Sequence, residues 1–137
     1  MSLVIDASIT LAWLFKDERT DKSRLVFDEV LAKGAVVPVL WRFEIANSLQ
    51  MAVRRRRILP VDRDESLIDL AALRIEVDPE GMSKAWSASV QLAEKHGLTI
   101  YDAAYLELAQ RRRLKIATMD NALFEAARSE LLPAIGL

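Results

Sequence analysis

The sequence predicts an α/β domain of three layers, with helices on both faces of a short, mainly parallel central sheet of four to five strands. Three observations carry that expectation. Short β-like apolar runs alternate with longer segments of helical periodicity, the pattern of a parallel sheet covered by its own crossovers. The strand runs are continuously apolar, as strands buried on both faces are. The chain has 137 residues, 52% of them apolar and 28% charged, which suits one core and one domain over residues 1–137.

The elements follow in order. Leu3-Val4-Ile5 is a first strand that stops at Asp6, and Ile9 to Phe15 reads as helix. After the charged bend Lys16 to Lys22, a second helix spans Ser23 to Lys33, with Leu25, Val26, Val30 and Leu31 as its apolar stripe. Gly34 closes it, Ala35-Val36-Val37 is the second strand, and Pro38 ends that strand. Trp41, Ile45, Leu49 and Ala52 recur at helical spacing, so Leu40 to Arg56 is a long helix with one apolar face. A shorter, more polar helix covers Asp62 to Ala72. Ile75 and Val77 bracket a third strand closed by Asp78-Pro79, and Met82 to His96 reads as one helix ended by Gly97. Thr99 is a natural N-cap for a helix through Gln110, Lys115-Ile116-Ala117 is a fourth strand, and Asn121 to Ser129 a last helix. The tail Leu131 to Leu137, interrupted by Pro133, offers an edge strand.

Composition removes several kinds of chemistry. No cysteine means no disulfide, thiol nucleophile or thiolate metal site. His96 is the only histidine, which excludes a multi-histidine metal site and disfavours a Ser-His-Asp triad. Met1 to Phe15 carries Asp6 and lacks a basic lead segment, so it does not read as a signal peptide. No run approaches the roughly 20 apolar residues of a membrane-spanning helix. A cytoplasmic protein is the expectation by exclusion.

Four acidic residues break the pattern. Asp6 stands at the carboxyl end of the first strand and Asp120 just beyond the fourth; each also suits an N-cap of the following helix. Asp102 lies three residues after Thr99, at capping-box spacing, beside the small Ala103 and Ala104. Glu44 sits between Phe43 and Ile45 near an apolar stripe, a costly place for a carboxylate without a partner or cation. With the first and fourth strands adjacent, all four converge where ligands collect in such sheets, beyond the strand carboxyl ends. Converging carboxylates repel, and a divalent cation relieves the repulsion. Oxygen-only ligands favour Mg²⁺ or Mn²⁺ over zinc. Such ions held by carboxylates hydrolyse phosphodiesters.

The constellation resembles PIN domains, and more narrowly the VapC-type ribonuclease toxins of toxin–antitoxin pairs. The resemblance rests on Leu3-Val4-Ile5-Asp6-Ala7-Ser8, on Pro38 and Trp41 leading to Glu44 and Asn47, on Leu98-Thr99 with Tyr101-Asp102-Ala103 and Tyr105, and on Ala117-Thr118 with Asp120. It covers essentially the whole chain. It implies that Asp6, Glu44, Asp102 and Asp120 form an acidic metal site, Asp6 and Asp102 binding directly. Ser8 and Thr118 would support that site and Asn47 would orient it. It also implies a Mg²⁺- or Mn²⁺-dependent endoribonuclease acting on RNA, a homodimer, and a small cognate antitoxin.

The net charge of −1 conceals two basic clusters, Arg54-Arg55-Arg56-Arg57 and Arg111-Arg112-Arg113 with Lys115. Cations suit helix carboxyl ends, and the same residues suit a phosphate-tracking rim beside an acidic centre. Of these, Arg54, Arg55, Arg56, Arg111 and Arg112 are the candidate RNA contacts. His96 reads as a helix-end residue, and Trp13, Trp41 and Trp86 as core or subunit-interface packing. Two rivals remain: a haloacid-dehalogenase-type phosphatase, disfavoured because Ser8 stands where a second acid belongs, and a non-catalytic module of the same fold that binds RNA or protein.

Overall fold

In the computed structural model, residues 2–137 are described. Five strands form one sheet: β1 (Leu3–Ile5), β2 (Ala35–Val37), β3 (Ile75–Val77), β4 (Ile116–Ala117) and β5 (Ala134–Ile135). Their order is β3-β2-β1-β4-β5 and every pairing is parallel. The tail thus does form the fifth, edge strand. The helices are α1 (Ala7–Leu14), α2 (Asp21–Lys33), α3 (Leu40–Arg54), α4 (Pro60–Ala71), α5 (Gly81–Lys84), α6 (Ala88–His96), α7 (Ile100–Arg112) and α8 (Asn121–Ser129). None is long and apolar enough to cross a membrane.

The sheet order places the chemistry. The chain builds outward from β1 through β2 to β3, then returns to add β4 on the other flank of β1. That reversal leaves a crevice beyond the carboxyl ends of β1 and β4, the usual ligand position in open parallel sheets. Register fixes it: Val4 pairs with Ile116 and Ile5 with Ala117, so Asp6 and Thr118 emerge side by side. All of β1, β2 and β4 is buried, which explains their uninterrupted apolar runs.

The N-termini of the helices follow local chemistry. The Asp6 and Asp120 side chains cap α1 and α8 by accepting the Ile9 and Leu123 N–H groups. Thr99 caps α7 through the Asp102 N–H, and Thr20 and Ser23 cap α2 reciprocally. Gly97, at φ +65°, ends α6 in the left-handed conformation. Gly136 is required for a different reason. At φ +118° its backbone lies against Thr118, where a Cβ would stand 2.3 Å from the carbonyl oxygen.

Several expectations need correction. Met82 to His96 is two helices, because Ser87 leaves the helical region and the Ser83 and Ser87 hydroxyls bond back to Glu80 and Lys84 carbonyls. Trp86 falls in that break and is 96% exposed, which removes core packing for it and leaves the subunit-interface alternative, whereas Trp13 and Trp41 pack in the core. Of the α2 stripe only Val26 and Val30 are buried; Leu25 and Leu31 face solvent. Helix α3 stops at Arg54, and Arg56 has a positive φ.

A buried ionic cluster lies outside the crevice. Asp78, fully buried beyond β3, accepts from Arg111 through both oxygens at 3.1 and 2.7 Å and from Arg112 at 3.0 Å. Arg111 also binds Glu107, and Arg112 binds Glu76. Burial alone would raise the Asp78 pKa, but the arginine hydrogen bonds outweigh it and hold it at about 2. The network fastens the carboxyl end of α7 to the β3 edge. Breaking a buried pair from one side strands a charge. Arg111→Met is therefore expected to cost on the order of 3 kcal/mol at pH 7 by urea unfolding, with part of the loss recovered by adding Asp78→Asn. Equal stability of Arg111→Met and the wild type would contradict this.

Candidate active site

Asp6 is the centre of the crevice. It is 4% exposed, and its two oxygens accept three protein hydrogen bonds. Oδ1 takes the Ile9 N–H at 3.0 Å and the Ser8 hydroxyl at 2.7 Å, while Oδ2 takes the Thr118 hydroxyl. A carboxylate has about four acceptor positions, so one remains, on Oδ2. Ser8 in turn accepts the Met119 N–H at 2.8 Å, and Thr118 accepts the Asp120 N–H at 3.0 Å. Two hydroxyls thus lock the turn after β4 to the turn after β1. Ser8 and Thr118, expected to support the site, each donate a hydroxyl to Asp6 and accept a backbone N–H from the turn after β4.

Glu44 lies on α3, half-buried, and its Oε1 accepts the Tyr105 hydroxyl at 2.6 Å. Tyr105 is one turn along α7 from Asp102 and 1% exposed. Helix α3 is held independently: Trp41 Nε1 donates to Thr10 Oγ1 at 3.0 Å, and Thr10 Oγ1 donates to the Asp6 carbonyl at 2.8 Å. Tyr105 and Thr10 were missed as candidates. Tyr105 stood in the motif that carried the family resemblance, and its i+3 spacing from Asp102 was the available signal.

The carboxyl groups sense one another. Burial raises the Asp6 pKa, the Thr118, Ile9 and Ser8 hydrogen bonds pull it down, and the Asp102 charge pushes it further up; the result is about 6. Burial and the Asp102 charge raise Glu44, against the Tyr105 hydrogen bond. Asp102 is itself raised by burial and by Asp120. Asp102 is thus the electrostatic link among all four. Among the described residues, none of the four has a salt-bridge partner.

Two carboxylates elsewhere in the molecule behave oppositely. Glu130 is held at about 2 by Lys95 and His96, and Asp78 at about 2 by its arginines. A set of hard oxygen donors, with Asp6, Glu44 and Asp102 raised in pKa and no salt-bridged cation among the described residues, fits a divalent cation. Among the described residues no three acidic or histidine side chains form a ready-made cage. The fit is therefore to a hydrated ion of the Mg²⁺ or Mn²⁺ kind, which keeps several waters and needs only one or two carboxylates.

The remaining candidates separate. Asn47 is exposed and makes no side-chain hydrogen bond to the four carboxylates among the described residues; it lines a shallow groove with Leu11, Ser48, Met51 and Arg55. Arg54, Arg55 and Arg56 are exposed, with no salt bridge among the described residues. Arg57 is tied to Asp17 and Glu18 and lies 3.9 Å over the Phe15 ring. Arg111 and Arg112, expected on an RNA-facing rim, instead have their guanidinium groups committed to Asp78, Glu107 and Glu76. Helical rise puts Arg111 about 13 Å along α7 from Asp102.

Comparison with known proteins agrees with this architecture. Residues 3–129 match the model of the PIN domain. Over 129 residues the chain is 32% identical to Ribonuclease VapC3 of Pyrobaculum aerophilum, covering 91% of this chain and 94% of that protein. The fold superposes on the crystal structure of PAE2754 from Pyrobaculum aerophilum with a TM-score of 0.69 and 21% identity, over 98% of this chain and 83% of that one. For FitAcB from Neisseria gonorrhoeae the TM-score is 0.66 at 15% identity, over 96% and 95% of the two chains.

The raised Asp6 pKa makes a pH-dependent prediction. An ordinary aspartate titrates near 3.8 and Asp6 near 6 in the fold, so the unfolded state releases this proton first. Below pH 3.8 Asp6 adds no charge penalty; between 3.8 and 6 its ionisation lowers stability, and above 6 the full cost of about 3 kcal/mol applies. In EDTA, Asp6→Asn should therefore gain stability over the wild type as pH rises from 4 to 7, by on the order of 1–3 kcal/mol. A difference that stays flat across that range in urea unfolding would refute it.

Proposed function

The chain belongs to the PIN domain family, and we propose from that membership and the crevice geometry that it is a Mg²⁺- or Mn²⁺-dependent endoribonuclease, the toxin of a VapBC-type pair. The observation that carries this reading is the gathering of Asp6, Glu44, Asp102 and Asp120 about the sheet's switch point, the first three raised in pKa and none with a salt-bridge partner among the described residues. The relative named Ribonuclease VapC3 supports the substrate class.

Asp6 and Asp102 are the proposed direct ligands, with Glu44 and Asp120 completing the negative set. When bound, the cation supplies a lowered water pKa and neutralises charge developing at the phosphate. The protein's own part is orientation. Ser8, Thr118 and the Ile9 N–H hold Asp6 so that Oδ2 retains an open acceptor position. The α7 cap by Thr99 fixes Asp102 in the first turn of its helix, and Asp120 is fixed as the cap of α8. RNA phosphates would be drawn by Arg54, Arg55 and Arg56, whose charges are free of salt bridges among the described residues.

The proposed partners are RNA, a small cognate antitoxin and a second copy of the chain, in the cytoplasm. Exposed Phe43, Leu59, Val61, Ile68 and Trp86 supply apolar surface of the kind that protein partners cover.

Incubation with RNA and Mn²⁺ should give cleavage that EDTA abolishes, and Asp6→Asn or Asp102→Asn should lower the rate at least 100-fold while keeping a cooperative fold. Near-normal cleavage by either variant would overturn the ligand assignment, and RNA binding without cleavage would favour the non-catalytic module. Charge reversal at Arg55 and Arg56 should weaken RNA binding and flatten its dependence on salt. An unchanged salt slope would return these arginines to simple helix-end solvation.

A further inference from the structure

The proposed ligand set leaves one buried polar contact unused. Tyr105 is 1% exposed, sits on the helix that carries Asp102, and directs its hydroxyl to Glu44 Oε1 at 2.6 Å. A buried tyrosine hydroxyl usually finds a partner, but any backbone carbonyl nearby serves that need. This one spans two helices to bind a carboxylate that already carries burial and like-charge penalties. We propose that Tyr105 is the positioning residue for Glu44, fixing which carboxylate oxygen faces the crevice; this rests on the metal-site reading above.

Two features of the fold favour that role over general packing. The backbone of α3 is anchored elsewhere, through Trp41 Nε1 to Thr10 Oγ1 and from Thr10 to the Asp6 carbonyl. Losing the Tyr105 hydroxyl therefore leaves α3 in place and frees only the Glu44 side chain. A glutamate has three rotatable bonds, and a half-buried one near Asp102 has electrostatic reason to swing outward. Tyr105 opposes that swing from a fixed point: the core around it includes Leu106, Leu108 and Ala109, all fully buried. With Oε1 occupied, Glu44 offers Oε2 to the crevice, in the same way that Asp6 offers its open position on Oδ2.

Tyr105→Phe keeps the ring and deletes one oxygen. The test is a double-mutant cycle of Tyr105→Phe and Glu44→Ala, read by calorimetric Mn²⁺ affinity without RNA, by kcat and KM on an unstructured RNA, and by melting temperature in EDTA. The wild type and Asp6→Asn serve as references. Expected is a Tyr105→Phe protein that melts cooperatively, binds Mn²⁺ 3- to 10-fold more weakly and loses roughly 10-fold in kcat with KM within about twofold. In the Glu44→Ala background the same change should cost less than about twofold on each. An equal loss in both backgrounds, or wild-type behaviour of Tyr105→Phe, overturns the assignment while leaving the metal site standing. A wild type that neither binds Mn²⁺ nor cleaves RNA overturns the metal-site reading and this assignment with it.

Discussion

The hydrogen bond from Thr118 to Asp6 joins the ends of two neighbouring parallel strands at the one place where the sheet changes direction. Around it the turn after β1 and the turn after β4 become a single unit, with Ser8 and the Met119 N–H closing the other side. The remaining site groups are placed relative to that unit. Asp120 caps α8 from it, α3 is hung from the Asp6 carbonyl through Thr10, and Gly136 is glycine because the edge strand must approach the Thr118 carbonyl closely. An Asp buried to this depth is tolerated because three donors offset its desolvation. They do not neutralise it.

The molecule holds carboxylates in two contrasting ways. At the β3 edge, Asp78 and Glu107 are matched with Arg111, and Asp78 also with Arg112; between the ends of α6 and α8, Glu130 is matched with Lys95 and His96. Those groups tie elements together and sit low in pKa where a shift is resolved. In the crevice the same residue type is gathered without matching cations, so the charge remains available to an outside ligand. The difference is one of partner placement along α7. Its first turn carries Asp102 and its last turn Arg111 and Arg112, so one helix serves the acidic site at one end and a buried ionic clamp at the other.

Much of this was legible in the sequence because the signals were local. Continuous apolar triplets marked β1 and β2, Asp6 and Asp120 stood at strand ends, and Gly97 and Thr99 punctuated α6 and α7. Long-range pairing was less visible. Whether Arg111 is free or buried against Asp78 depends on how α7 crosses to the β3 edge, which spacing along one helix does not encode. Trp86 illustrates the same limit: apolar residues at helical spacing suggested packing, but the serines around it end the helix and leave the ring in solvent. Asn47, three residues on from Glu44 and so its neighbour on the helix surface, is exposed where Glu44 is half-buried, a difference that spacing along α3 does not encode.

The Asp6–Thr118 contact spans 112 positions of the chain. Closing so long a loop costs conformational entropy before any contact rewards it, and pairings of this separation slow folding. The crevice is therefore not a feature that a partly folded chain possesses in weakened form. Until β4 docks on β1, Asp6 caps a helix beside β1 and Asp120 has no neighbour to repel. The pairing of β1 with β4 makes the acidic centre a property of the finished fold, and local helix formation by itself gives no foothold for a cation.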